Sequence, residues 1–200
     1  MDIKNAIENR RAIKQFDANH TVSQDEINDL FTQALKAPSS FNIQHWRFVL
    51  VQDPELRKEI RTVAWDQPQI TDSSVLAILT VDVKAWEKDP ANYWTHAPQA
   101  AQDFLVPAIA QFYEGRDQMQ RDEAMRSAGL VAQTLMLAAQ GMGLDTCPMV
   151  GFDFDKVGQM INLPADHEIA MMVAIGKRSA EPHPRGSLLS LDKILVKNTF

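Results

Sequence analysis

Three polar stretches, each bordered by apolar runs, carry the side chains best suited to chemistry. The first is Arg10-Arg11-Ala12-Ile13-Lys14. Two guanidiniums and an ammonium within five positions can grip a phosphate and place positive charge beside an anion. The second is Pro38-Ser39-Ser40-Phe41-Asn42-Ile43-Gln44-His45-Trp46. Its hydroxyls and amides can both donate to and accept from a polar heterocycle. The third is Gly143-Leu144-Asp145-Thr146-Cys147-Pro148-Met149-Val150-Gly151-Phe152, a Pro-x-x-Gly segment in which small residues let another molecule approach the backbone. Taken singly, these are also a solvated basic turn, a cap-and-turn cluster and a helix-to-strand connection.

Other chemistries lack their residues. The chain holds no Gly-x-Ser-x-Gly elbow and no His-Glu-x-x-His helix. No Gly-x-Gly-x-x-Gly follows a strand, which excludes that dinucleotide fingerprint. His20, His45, His96, His167 and His183 are scattered and read as surface or packing histidines. Cys147 has no Cys-x-x-Cys partner and reads as a buried structural thiol.

Composition frames these groups. A chain of 200 residues with 45% hydrophobic and 23% charged residues is expected to form one domain, residues 1–200, with a core of its own. Its net charge of −6 argues against a nucleic-acid partner. A single cysteine, no apolar run long enough to span a membrane and no signal-like opening lead to the expectation of a cytoplasmic protein without a membrane partner.

Several elements must position the polar stretches. Residues 2–10 are predicted helical, with Ile3, Ala6 and Ile7 on one face. Ser23 and Glu26 have capping-box spacing, and Ile27, Leu30, Phe31, Ala34 and Leu35 continue a helix that stops before Pro38. Residues 45–51 read as a strand, and Asp53-Pro54 opens a helix with Leu56, Ile60 and Val63 on its buried side. A loop is expected at 66–72, then a strand at 75–81 so continuously apolar that it belongs at the centre of a sheet. Residues 84–118 should form irregular helical pieces delimited by Pro90, Pro98 and Pro107. Residues 119–142 form the most regular helix, apolar almost all round from Ala128 to Ala139. An extended segment at 144–151, a short helix capped by Asp153 and a buried strand at 169–175 follow. Beyond Gly176 an extended tail carries Leu188, Leu189, Leu191, Ile194, Leu195 and Val196, which need a surface to cover them.

The order and spacing of the polar stretches resemble the nitroreductase family of flavoproteins from end to end. The resemblance rests on Arg10-Arg11-Ala12-Ile13-Lys14-x-Phe16, Ala37-Pro38-Ser39-Ser40-x-Asn42-x-Gln44-x-Trp46-x-Phe48, Gly143-Leu144-Asp145-x-x-Pro148-x-x-Gly151-Phe152, and a strand ending in Gly176 and a basic residue. It implies an α+β sandwich, with a mostly antiparallel sheet flanked by helices and a C-terminal arm exchanged across a homodimer. It implies FMN as cofactor, with NADH or NADPH as electron donor and a small electron-poor acceptor. Arg10 and Arg185 would hold the phosphate beside Arg11 and Ala12, a position where many relatives have Ser. Lys14 would lie at the pyrimidine edge, with Gln67 or Gln69 hydrogen-bonded to that ring. Ser39, Ser40, Asn42 and Gln44 would come from the other subunit. Pro148, Met149, Val150 and Gly151 would flank flavin N5, with the backbone N–H groups of Val150 and Gly151 nearest. Transfer would be ping-pong and needs no protein acid or base. Trp65, Trp86, Trp94, Phe41 and Phe112 are candidates either for the substrate face or for the core. A flavin or enone reductase, or a flavin store or sensor with little turnover, would fit the same residues.

Overall fold

The computed structural model describes residues 2–200. Four strands form one antiparallel sheet in the order β1-β2-β4-β3. They are β1 (Trp46–Val51), β2 (Val75–Asp82), β3 (Asp145–Met149) and β4 (His167–Gly176). Every residue of β2 is buried, because β1 and β4 flank it and helices cover both faces. Successive side chains of a strand point to opposite faces, so β2 feeds two cores. Val75, Leu79 and Val81 pack with Ile27, Leu30 and Ala34 of α2 (Gln24–Ala34) and with Val131 and Leu135 of α7 (Asp117–Gly141). Leu76 and Ile78 pack on the other side with Ile60 of α3 (Pro54–Thr62) and Val157 of α8 (Phe154–Met160). Each such fully buried leucine or isoleucine contributes about 1.5–3 kcal/mol relative to exposure.

The local signals act as their chemistry dictates. Ser23 and Glu26 close a reciprocal capping box on α2, and Asp53 caps α3 with Pro54 in its first turn. Asp2 caps α1 (Ile3–Asn9) and Asp153 caps α8.

The structure departs from expectation in five places. Within the supposed loop 66–72, Gln69–Asp72 form a helical turn, α4. A short α5 (Ala85–Lys88) precedes α6 (Gln99–Tyr113), which runs straight through Pro107, forgoing one backbone bond rather than ending. The tail is not wholly extended, since Leu191–Ile194 form α9. Only Ala6 of the α1 face is buried, while Ile3 and Ile7 lie open. On α7, Leu130 remains 47% exposed, so one stripe of the apolar helix is uncovered within a single chain. A third, aromatic cluster around Tyr113 and Trp86 joins α5 and α6 to Ile43. Among the described residues no helix is long and apolar enough to cross a membrane.

Candidate functional site

The open edge of β3 organises the site. Ala12 forms a parallel bridge with Thr146, and the Ile13 N–H donates to the Thr146 carbonyl at 3.0 Å. This short pairing lays the Arg10–Lys14 segment along the strand that leads to Val150 and Gly151. Two expected groups of residues, far apart in sequence, therefore share one edge of the sheet.

At one end lies a cluster of guanidiniums. Arg10 follows the last turn of α1. Arg185 donates from Nη2 to the carbonyls of Arg10 at 3.0 Å, Glu8 at 3.2 Å and Ile7 at 3.4 Å. A cation on the carbonyl end of a helix satisfies groups that the helix leaves without partners. Arg11 donates to Glu8 O at 3.2 Å. Partial burial, then repulsion from Arg185 and Arg11, lowers the pKa of Arg10. Among the described residues no carboxylate pairs with Arg10, Arg11, Lys14 or Arg185. Like charges gathered without a counter-ion destabilise a fold unless an anion joins them.

Further along the edge, Lys14 Nζ lies 3.4 Å from Cys147 Sγ, and Gln69 Nε2 lies 3.9 Å from the same sulfur. Burial pushes the Cys147 thiol up, with Lys14 and Gln69 opposing it. Gln69 also donates to Gln67 Oε1 at 2.9 Å. Gln67 in turn donates to the carbonyls of Gly151 at 2.9 Å and Ala64 at 3.1 Å. A continuous polar relay therefore runs from Lys14 to Gly151. Pro148 is half-buried and Met149 buried, while Val150 turns its side chain outward with 64% exposure.

The Ser39–Gln44 loop stands apart. Phe41, Asn42 and Gln44 have φ of 49°, 55° and 52°, a left-handed conformation that local hydrogen bonds sustain. The Gln44 N–H donates to Ser39 Oγ at 2.9 Å, Gln44 Nε2 to Asn42 O at 3.2 Å, and Asn42 Nδ2 to Tyr93 O at 3.4 Å. Among the described residues no hydrogen bond joins this loop to the Arg10–Gly151 edge, so one chain does not bring the two groups together.

Sequence reasoning missed two contacts. Cys147 partners Lys14, a contact set by the pairing of Ala12 with Thr146 that no local feature of the sequence announces. Trp65 lies against Gly151, where an added Cβ would meet its ring at 2.7 Å. Of the other aromatic candidates, Trp86 is buried, while Phe41, Phe112 and Trp94 pack on the same cluster. A second charged group, Asp82, Lys88, Asp166 and His167, lies where β2 and β4 meet. Lys88 bridges the two carboxylates at 2.6 and 2.8 Å, and its bonds with those of His167 hold the Asp166 carboxyl down at about 2. This group is internally compensated.

The pattern of the Nitroreductase family matches residues 7–177. Protein DrgA of Synechocystis sp. is 48% identical over 97% of this chain and 98% of its own length. MhqN of Bacillus subtilis, named as a candidate NAD(P)H nitroreductase, is 33% identical over 90% of this chain and 91% of its own. A candidate nitroreductase from Exiguobacterium sibiricum, solved in complex with FMN, superposes with a TM-score of 0.91 at 29% identity over 98% of this chain and 97% of its own. The expected α+β sheet-and-helix architecture, the sheet edge that gathers the basic stretch and these matches agree: the chain belongs to the Nitroreductase family.

Proposed function

We propose that this chain, as a single domain of residues 1–200, is an FMN-dependent oxidoreductase. It takes electrons from NADH or NADPH and delivers them to small electron-poor acceptors such as nitroaromatics and quinones. The observation that carries this reading is the uncompensated Arg10–Arg11–Arg185 cluster joined by one strand edge to the Lys14–Gly151 relay. A phosphate dianion supplies the charge that the cluster lacks, and a polar ring edge meets the donors along the relay. The residues present therefore fit FMN.

In this reading Arg10, Arg11 and Arg185 hold the phosphate, and the backbone at Ala12 lies beside it. Lys14 faces the pyrimidine edge, and Gln69, whose amide N–H groups are directed at Gln67 Oε1 and Cys147 Sγ, meets that edge through its side-chain oxygen. Gln67 spends both amide hydrogens on Ala64 and Gly151, so its part is to hold Gly151 in place. Pro148, Met149, Val150 and Gly151 form the rim. Ser39, Ser40, Asn42 and Gln44 of the partner subunit complete the site. FMN, when bound, supplies reversible hydride chemistry. Lys14 contributes an ammonium with no carboxylate beside it, which stabilises developing negative charge. Donor and acceptor use the same face in turn, so the ping-pong order needs no acid–base pair. The remaining residues orient the reactants and exclude water.

The reading includes a homodimer, which surfaces left open by a single chain support. The outer edge of β1 has no strand partner among the described residues. Beside it lie two hollows, one lined by Ile27 of α2 and Leu50 of β1, the other by Phe31 of α2, Leu35 just after it, and Phe48 and Leu50 of β1. The exposed apolar tail from Leu188 to Val196 is an occupant of matching character, exchanged between two copies, and Leu130 faces the same need for cover. The same reading places the chain in the cytoplasm with neither nucleic acid nor membrane as partner, and its net charge of −6 is in keeping with the lack of a nucleic-acid partner.

The test is the visible absorption of the purified protein, with NADH or NADPH added under anaerobic conditions. A flavin spectrum that bleaches is the expected result. A flavin spectrum that persists would leave a store or sensor, and no flavin uptake from supplied FMN would overturn the reading.

A further inference from the structure

Trp65 has an unusual setting for its size. It is the most exposed of the tryptophans, at 81%, yet it is firmly placed. Trp65 and Asp66 both have positive φ, 55° and 51°, a conformation that residues other than glycine rarely adopt and that this chain shows in succession here and at Phe41–Asn42. The turn is bolted on each side. Arg61 Nε pairs with Asp66 Oδ1 at 2.6 Å and Arg61 Nη1 donates to Thr71 Oγ1 at 3.0 Å. Gln67 clasps the carbonyls of Ala64 and Gly151, and the Asp153 N–H donates to Val63 O at 2.9 Å. Such strain persists only where surrounding contacts over-determine it, and it clusters where a side chain is being presented.

What is presented is an indole with an edge of its six-membered ring against Gly151. A Cβ on that glycine would stand 2.7 Å from Trp65 Cζ3 and 2.8 Å from Cε3. Absence of a side chain at 151 is what lets the six-membered ring of the indole lie beside the Val150–Gly151 backbone.

We propose that Trp65 is a specificity-determining residue, a stacking wall that selects planar, electron-poor aromatic acceptors over compact ones. The inference rests on the FMN reading above. Its chemistry is that of the indole: an electron-rich π-face stacks on an electron-poor ring in an offset geometry. The indole itself neither gives nor takes electrons. A compact acceptor such as ferricyanide has no aromatic ring to stack and gains nothing from it.

The test compares wild type with Trp65→Phe and Trp65→Ala, using 4-nitrobenzoate and ferricyanide as acceptors at saturating NADH or NADPH. In Trp65→Ala, KM for 4-nitrobenzoate should rise about tenfold, the loss expected for one stacking contact. Its kcat, the ferricyanide KM and the FMN dissociation constant should hold within about twofold. Trp65→Phe should recover most of the loss. As a readout apart from turnover, 4-nitrobenzoate should quench the solvent-exposed tryptophan emission of wild type saturably, and that component should be missing in Trp65→Phe. Equal KM shifts for both acceptors, or no shift, with normal FMN reduction, would overturn the wall while leaving the cofactor reading intact. Quenching that rises linearly without saturation would overturn it too. Failure of wild type to take up FMN would instead sink the cofactor reading.

Discussion

Lys14 Nζ and Cys147 Sγ meet at 3.4 Å across a sequence separation of 133 positions. Burial keeps the thiol protonated, so Lys14 rests on a neutral acceptor rather than on a carboxylate. Its charge is held in position but not cancelled. Lys14→Ala should therefore slow anaerobic bleaching of bound flavin by NADH or NADPH by about tenfold to a hundredfold, the scale of removing one positioned charge. Flavin content should change less than that rate. Stopped-flow absorbance would decide, and an unchanged rate would remove Lys14 from the chemistry.

The guanidinium cluster makes a separate prediction about discrimination between cofactor forms. Arg10→Ala should weaken FMN binding by about tenfold to a hundredfold, because charge-assisted hydrogen bonds contribute about 1.5–3 kcal/mol each. Riboflavin, which lacks the phosphate, should lose almost nothing. Arg185→Ala should weaken FMN binding in the same sense, and it also uncaps α1, where Arg185 meets three carbonyls. Flavin fluorescence titrations with both compounds separate the effects. A parallel loss for FMN and riboflavin would mean that the arginines serve the fold and not the phosphate.

Much of this arrangement was legible in the residues. The apolar run at 75–81 gave the central strand because only a strand flanked on both edges and covered on both faces can be apolar throughout. Ser23, Asp53 and Asp153 announced helix starts because their side chains satisfy orphan amides. What the sequence hid was tertiary. No local signal opposes Ala12 to Thr146, and that single bridge decides which side chains flank Lys14. Nor does propensity foresee a left-handed turn at Trp65 and Asp66, because its bolts come from Arg61, Gln67 and residues more than eighty positions away. Pro107 inside α6 shows the converse, since packing around Ile109 and Tyr113 outweighs the bond that proline removes.

The tail yields a prediction about assembly. Residues 187–200 are exposed throughout the single chain, so their removal should leave the four-stranded core folded, with unchanged circular dichroism. It should nevertheless convert a dimer into a monomer and release FMN, because the Ser39–Gln44 loop would no longer reach the arginine edge. Sedimentation velocity with detection at flavin wavelengths reads both. A truncated protein that remained a flavin-bearing dimer would dismiss the arm exchange.

The pH dependence of stability should trace to His45. Its ring is fully buried beside Tyr113, and neither nitrogen has a partner among the described residues. Burial, against a smaller opposing pull from Asp82, pushes its pKa down from 6.5 to about 4. The folded chain thus keeps this imidazole neutral while the unfolded chain protonates it below about pH 6.5. The unfolded state then binds more protons, so stability falls as pH drops from about 6.5 to 4 and is fully present above that window. The shift corresponds to about 3 kcal/mol by linkage. Asp166 works in a lower range, since its folded pKa of about 2 lies below the ordinary carboxylate value, and its contribution is lost only as pH falls below about 4. Glu26, held down by its hydrogen bonds with Ser23, likewise loses its contribution only toward and below the ordinary carboxylate range, so the histidine's slope stands out above about pH 5. Urea midpoints measured from pH 4.5 to 7.5 should fall with acid in wild type and stay nearly level in His45→Phe, which keeps an aromatic ring but cannot bind a proton. His45 directly follows Gln44 and opens into β1, so the acid window should also loosen the Ser39–Gln44 half-site and release FMN. Identical pH slopes in the two proteins would transfer the acid sensitivity to some other group and uncouple it from that loop.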